Sequence, residues 1–90
     1  MRLDLFLKSS RVCPRRTIAQ KLCDAGLVFV NGVVAKPAHS VKPGDEIIVK
    51  KKNRVTTLKV LDVPTKRQTS REDAKELIEI INEREVDRVE

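Results

Sequence analysis

The sequence predicts an α+β fold: two short amphipathic helices at the N-terminus, a small antiparallel sheet, and a helix at the C-terminus. Three observations carry this. Leu3, Phe6 and Leu7 fall at the helical spacing i, i+3, i+4, and Ala74, Leu77, Ile78 and Ile81 repeat that pattern near the other end. Asn31-Gly32 separates the apolar runs at 27–30 and 33–34. That is the strongest short-range hairpin signal, because a type I′ turn needs positive φ at both central positions. Pro43-Gly44-Asp45 marks a second turn, just before a run with Ile47 and Val49 on one side.

Each element has a local reason. A helix over 2–10 buries Leu3, Phe6 and Leu7 and leaves Arg2, Asp4 and Lys8 in water. Pro14 suits the first turn of a second helix, where its missing N–H is not needed. Ile18, Leu22 and Ala25 form the apolar stripe of that helix, and Gly26 supplies a left-handed cap after it. Arg16 and Gln20, four apart, share a face pointing away from the Ile18–Leu22 stripe, with Lys21 at its flank. Arg15 falls nearer the buried side and must snorkel. Strands follow at 27–30, 33–34, 46–50 and 55–61, the last two joined by a tight connection at 51–53. Residues 62–69, with Pro64, read as a linker. Ser70 and Asp73 resemble a capping box, and Glu72 and Asp73 suit the dipole of a third helix. The organisation is therefore a body at 1–61, a linker at 62–69 and an acidic amphipathic helix at 70–90. The stripe of that helix must be covered, by the sheet or by a partner, and folding back is the favoured reading.

Ninety residues make one small domain. The net charge of +6 is unevenly placed: residues 1–60 carry +9 and residues 61–90 carry −3. Arg15 and Arg16 stand where a helix begins, against the positive end of its macrodipole. Residues that break a local rule without a fold benefit are candidates for function. Arg2, Lys8, Arg11 and Lys21 lie nearby in sequence, so a polyanion is the natural partner. The only aromatic residues are Phe6 and Phe29, which argues for shape and backbone contacts over base stacking. Cys13 and Cys23 form no CxxC pair, and His39 is the single histidine, so no zinc set can be assembled. Both cysteines are expected to be reduced and to pack as small apolar residues. Charges interrupt any signal-peptide core, and no apolar run approaches the roughly 20 residues of a membrane span. These features point to the cytoplasm, with no cofactor and no membrane. No nucleophile, paired carboxylate or phosphate loop supports catalysis.

Arg2-Leu3-Asp4, Ser10-Arg11, Arg15-Arg16-x-x-Ala19, the run GLVFVNG at 26–32 and the run VKPGDEI at 41–47 together resemble the S4 RNA-binding domain. The similarity spans roughly residues 1–50. It implies two helices packed on a small antiparallel sheet, the helix pair presenting basic residues to structured RNA. Free-standing short members are similar to this chain: the heat shock protein 15 group and the S4 protein of bacterial ribosome quality control. The acidic tail favours the second. The resemblance then implies a non-catalytic monomer that binds 23S rRNA and peptidyl-tRNA on the 50S subunit, beside the Rqc2-type alanine-tailing factor. An rRNA-binding assembly factor and a protein-interaction module acting through Leu77, Ile78 and Ile81 are the alternatives. The expected RNA-binding residues are Arg2, Lys8, Arg11, Arg15, Arg16, Gln20, Lys21 and Lys36, with Arg16 at the centre. Asp4 is read as positioning arginines or capping a helix. Asn31 and Gly32 need no role beyond the turn, and Lys50, Lys51, Lys52 and Arg54 read as a solvated loop.

Overall fold

The computed structural model describes residues 1–63 and 76–85. Its elements run α1 (Leu3–Ser9), α2 (Arg16–Asp24), β1 (Val28–Val30), β2 (Val33–Val34), β3 (Glu46–Lys51), β4 (Arg54–Val60) and β5 (Ile78–Glu85). The strands form one antiparallel sheet in the order β2-β1-β3-β4-β5. The helices join the core through one face of it. Strand alternation makes this plain: Ile47 and Val49 are fully buried, while Ile48 between them is only half-buried. Leu3, Phe6 and Leu7 of α1, all at zero exposure, meet Val28, Val30, Leu58 and Val60 in a single core. Full burial of each such side chain contributes about 1.5–3 kcal/mol.

The two turns behave as their residues require. Asn31 and Gly32 take φ of 52° and 84°, and Val30 pairs with Val33 across them. Asp45 N–H donates to the Lys42 carbonyl at 3.2 Å around Pro43 and Gly44. The turns are also tied together. Asn31 Nδ2 donates to Asp45 Oδ1 at 3.1 Å, and Glu46 N–H donates to Asn31 Oδ1 at 3.0 Å. The Asn31 side chain thus has a structural task beyond tolerating positive φ.

Both helices end on a left-handed residue. After α2, Gly26 (φ 76°) donates to the Cys23 carbonyl and Leu27 to the Leu22 carbonyl, each at 3.0 Å, which is a Schellman closure. A Cβ built on Gly26 would touch nothing within 4 Å. Gly26→Ala should therefore cost only the backbone penalty, about 1 kcal/mol in urea unfolding, with Gly26→Asn closer to wild type. After α1 the equivalent position is Arg11, at φ 60°.

Four expectations are corrected. Asp4 is fully buried, not wet. Pro14 lies outside α2, which begins at Arg16 with the exposed Arg15 as its extended N-cap. The fully buried residues of α2 are Ala19 and Cys23; of the expected stripe Leu22 packs partly buried against the core, whereas Ile18 is 38% exposed and Ala25 is exposed. Small side chains at i and i+4 let α2 lie close to α1. Arg16 and Gln20 therefore share a face as expected, but it turns toward α1, and Arg15 is the residue that points out.

The fourth correction concerns the C-terminus. Residues 78–85 do not continue a helix; they form β5 against β4, from Arg54↔Glu85 to Val60↔Ile78. A short apolar run fits either period. Here β-branched Ile78, Ile80 and Ile81 suit a strand, and β4 would otherwise present an unpaired edge. A bulge at Ile81 lets Ile78 and Ile80 fall opposite Val60 and Leu58. Leu77 is buried, and its carbonyl accepts from Leu61 N–H at 2.8 Å. The interaction-helix reading thus loses Leu77 to the core. The Ser70–Asp73 capping box, Ala74 and linker residues 64–69 lie outside the described residues.

Candidate nucleic-acid interface

Asp4 organises the basic surface. It sits in the first turn of α1, where four N–H groups lack helical partners. The loop at 36–40 supplies two: Leu3 N–H donates to the His39 carbonyl at 2.7 Å and Asp4 N–H to the Pro37 carbonyl at 3.1 Å. Asp4 Oδ1 takes a third, from Leu5 N–H at 2.7 Å. Its other oxygen, Oδ2, accepts from Gln20 Nε2 at 2.9 Å, Arg16 Nε at 3.1 Å and Arg2 Nη2 at 3.2 Å. Two guanidiniums and an amide, from both helices, therefore converge on one carboxylate oxygen.

The electrostatics follow from that geometry. Burial alone would raise the Asp4 pKa, but hydrogen bonds from Gln20, Arg16 and Leu5 N–H, with the Arg16 charge, hold it below the usual carboxylate range. The carboxylate also explains how a cation can open α2: its charge offsets the unfavourable end of the dipole. The buried anion meets two arginines whose side chains remain 49% and 41% exposed. The cluster is net positive, with both guanidiniums half in water.

The other expected residues are distributed around it. Lys36 is exposed on the loop that closes the start of α1, the same loop whose Ser40 bridges to Arg2. Arg15 is exposed beside Arg16 at the start of α2, and Lys21 is exposed in its last turn. Lys8 is exposed in the last turn of α1. Arg11, just beyond, departs from the group: it lines a separate cavity with Lys51 and Arg54. The solvated-loop reading of residues 50–54 is also revised. Lys50 Nζ lies 4.9 Å from the centre of the Phe29 ring, Lys51 Nζ donates to the Val12 carbonyl at 2.6 Å, and Arg54 pairs with Glu83 at 2.9 Å. Lys52 and Asn53 are exposed at the hairpin tip, and Arg54 is exposed beside them despite its ion pair.

The spacing Arg2-x-Asp4 was the available sign of the carboxylate's role. Nothing local showed that Gln20 would join it. The two cysteines are free and buried, and burial pushes both thiols up, Cys23 to about 11 with help from Asp4. They stay protonated at neutral pH and act as packing groups. Among the described residues no cluster of His, Cys, Asp and Glu could hold a metal, and no helix is long and apolar enough to cross a membrane.

Two helices on one face of an antiparallel sheet, with a cationic cluster held by a buried carboxylate where the helices meet, define a small electropositive α+β module. A family model described as the S4 domain matches residues 1–47, and the chain belongs to that family. It is 40% identical over 87 residues to the RQC P-site tRNA stabilizing factor of Streptococcus pneumoniae, covering 97% of each chain. It is 39% identical over 90 residues to the factor of the same name in Halalkalibacterium halodurans, covering 100% of both, and 41% identical over 83 residues to that of Bacillus subtilis, covering 92% and 94%. Among solved structures, Vibrio cholerae Heat Shock Protein 15 superposes with a TM-score of 0.80 at 28% identity, covering 89% of this chain and 80% of that one.

Proposed function

We propose that this protein is a non-catalytic RNA-binding factor of ribosome-associated quality control in the cytoplasm. It engages 23S rRNA and peptidyl-tRNA on the 50S subunit and supports alanine tailing of stalled chains beside the tailing factor. The observation that carries the reading is the Asp4-centred cluster of Arg2, Arg16 and Gln20. The names of the full-length relatives support the setting on P-site tRNA.

The chemistry is that of a held fork. Arg16 gives its Nε to Asp4, which fixes the guanidinium plane. The terminal nitrogens have no protein acceptor among the described residues and can engage two phosphate oxygens together. Arg2 presents a second cation from the same anchor. Pre-ordering both side chains reduces the rotamer entropy lost on binding, about 0.5–1.5 kcal/mol for each. Lys36, Arg15, Lys21 and Lys8 add positive charge around the pair. Duplex RNA has a deep, narrow major groove that side chains read poorly, so phosphate and shape contacts dominate.

Arg16→Ala tests this directly. Arg16 is half-exposed, so the fold should hold, while co-sedimentation with 50S particles carrying tRNA drops by about tenfold or more, the loss expected for one charge-assisted fork. The salt dependence should also lose roughly one unit of slope. Undiminished co-sedimentation would sink the proposal.

A further inference from the structure

Gln20 is the member of the Asp4 cluster whose chemistry differs from the rest. Arginine and lysine side chains carry donors only, so Arg2, Arg16 and the lysines around them can serve acceptors alone. A carboxamide carries donors and an acceptor. Its orientation here is set by Asp4. That carboxylate is held ionised by the groups around it and can only accept. The amide must therefore turn Nε2 toward it, which it does at 2.9 Å. Oε1 is left on the other side of the amide.

Two further observations show that this oxygen is available. Among the described residues Gln20 is engaged through Nε2 alone, so Oε1 accepts from none of them. Nor is it sealed in: Ser9 Oγ is the one buried side-chain polar atom without a partner among those residues, so the unpartnered Oε1 of half-buried Gln20 reaches solvent. Its position is also fixed. Arg16 and Gln20 stand four apart on α2 and share one acceptor atom, at 3.1 Å and 2.9 Å, which sets the free oxygen next to the Arg16 guanidinium.

An acceptor beside a phosphate fork repels phosphate oxygens and has to be answered by a donor on the same ligand. In RNA the 2′-hydroxyl supplies one, on the ribose carbon adjacent to the carbon that carries the 3′-phosphate, and A-form helices display it in their shallow groove. Deoxyribose has no donor there. We infer that Gln20 is the specificity-determining residue of the cluster: Oε1 accepts from a ribose 2′-hydroxyl while Arg16 and Arg2 hold the adjoining phosphate. The cluster thereby selects RNA backbone over a bare polyanion. This inference rests on the RNA-binding reading above and adds the atom that makes it specific for ribose.

The test measures ratios of affinity. Fluorescence anisotropy of the full-length protein would be followed with one RNA hairpin in three forms: unmodified, with 2′-fluoro in place of every 2′-hydroxyl, and with inosine in place of the stem guanosines. The fluoro form keeps the A-form backbone and its charge but has no 2′ donor. The inosine form loses the guanine amino group, the other donor in the shallow groove. Wild type should bind the unmodified hairpin about three- to tenfold more tightly than the fluoro form, the worth of one neutral hydrogen bond, and bind the inosine form as well as the unmodified one. Gln20→Lys keeps a donor for Asp4 and adds a charge, yet has no acceptor. It should bind all three forms with one affinity, whatever its absolute strength. Gln20→Met removes donor and acceptor together and should lose the discrimination too. A wild-type ratio near one, a ratio that persists in Gln20→Lys, or weaker binding of the inosine form would each overturn the assignment while leaving RNA binding in place. Failure of wild type to bind any of the hairpins would count against the RNA reading itself and take this assignment with it.

Discussion

Replacing Asp4 by alanine is expected to remove RNA binding and to lower stability together, the combination that no other single change in the cluster produces. Asp4 has zero exposure and accepts four hydrogen bonds, from Leu5 N–H, Gln20, Arg16 and Arg2. Hydrogen bonds to a charged group are worth about 1.5–3 kcal/mol net, but Arg2 and Arg16 are half-exposed and can return to water. A total loss of about 2–4 kcal/mol is therefore expected, read as a lowered urea midpoint with an unchanged m-value. Binding falls for a separate reason. Without the carboxylate, two guanidiniums at the mouth of the helix pair repel each other and α2 begins on an uncompensated cation. The 50S affinity should fall by about tenfold or more, the equivalent of 1.4 kcal/mol or above. If Asp4→Ala binds as wild type does, Arg2 and Arg16 need no anchor and the held-fork mechanism fails.

Asp4→Asn separates charge from shape, and pH provides a further check. The folded-state pKa of Asp4 is depressed below the usual carboxylate range. Its stabilisation is therefore complete above the unfolded carboxylate value of about 3.9 and is lost as pH falls through the lower folded value. In wild type, the Asp4 contribution should persist down to the foot of the acid range. The Asp4→Asn variant should lack that component, so the stability difference between the two proteins shrinks as acid titrates Asp4. A difference that stays constant through the whole acid range would show that Asp4 acts through packing alone.

The parts of this fold visible in the sequence are those decided within a few residues. Leu3, Phe6 and Leu7 mark α1 by spacing, Asn31-Gly32 and Pro43-Gly44 mark the turns by backbone chemistry, and Gly26 marks the end of α2. What escaped depends on partners far along the chain. Asp4 looks like a surface acid until Arg16 and Gln20, 12 and 16 residues away, arrive to satisfy it. The same contact reverses the orientation of α2: helical periodicity placed Arg16 and Gln20 on one face, but Ile18 offers more apolar surface than Ala19. Apolar size favoured one side, and a buried carboxylate on the neighbouring helix recruited the other. The C-terminal strand was hidden for a different reason. Leu77, Ile78 and Ile81 fit a helical stripe, and only the open edge of β4 decides between the two periods.

Ending the chain at Val63 is expected to cost most of the domain's stability, because β5 belongs to the sheet. Seven register pairs would be lost from β4, leaving its edge unpaired beside the core residues Leu58 and Val60. Removing buried Leu77 alone costs about 2–3 kcal/mol. The loss of Ile78, half-buried against the same core, and of the β4 pairing brings the expected total to about 4–6 kcal/mol, against 5–15 kcal/mol for an entire small domain. The exposed edge should also promote self-association. Circular dichroism and sedimentation of the shortened chain would show both effects, and a monomer with the full-length urea midpoint would show that β5 is dispensable. Lost ribosome binding by such a truncation therefore says nothing about a docking helix, since the helices proposed to face RNA would lose their platform as well. Point changes on the outer strand avoid the confusion. Ile81→Ser removes a side chain that is 52% exposed at the bulge and pairs with no residue of β4. It should leave the midpoint within about 0.5 kcal/mol of wild type, as exposed substitutions generally do. Unchanged 50S binding in that variant, beside the loss in Arg16→Ala, would locate recognition on the helix pair and leave the C-terminal segment its role in the sheet.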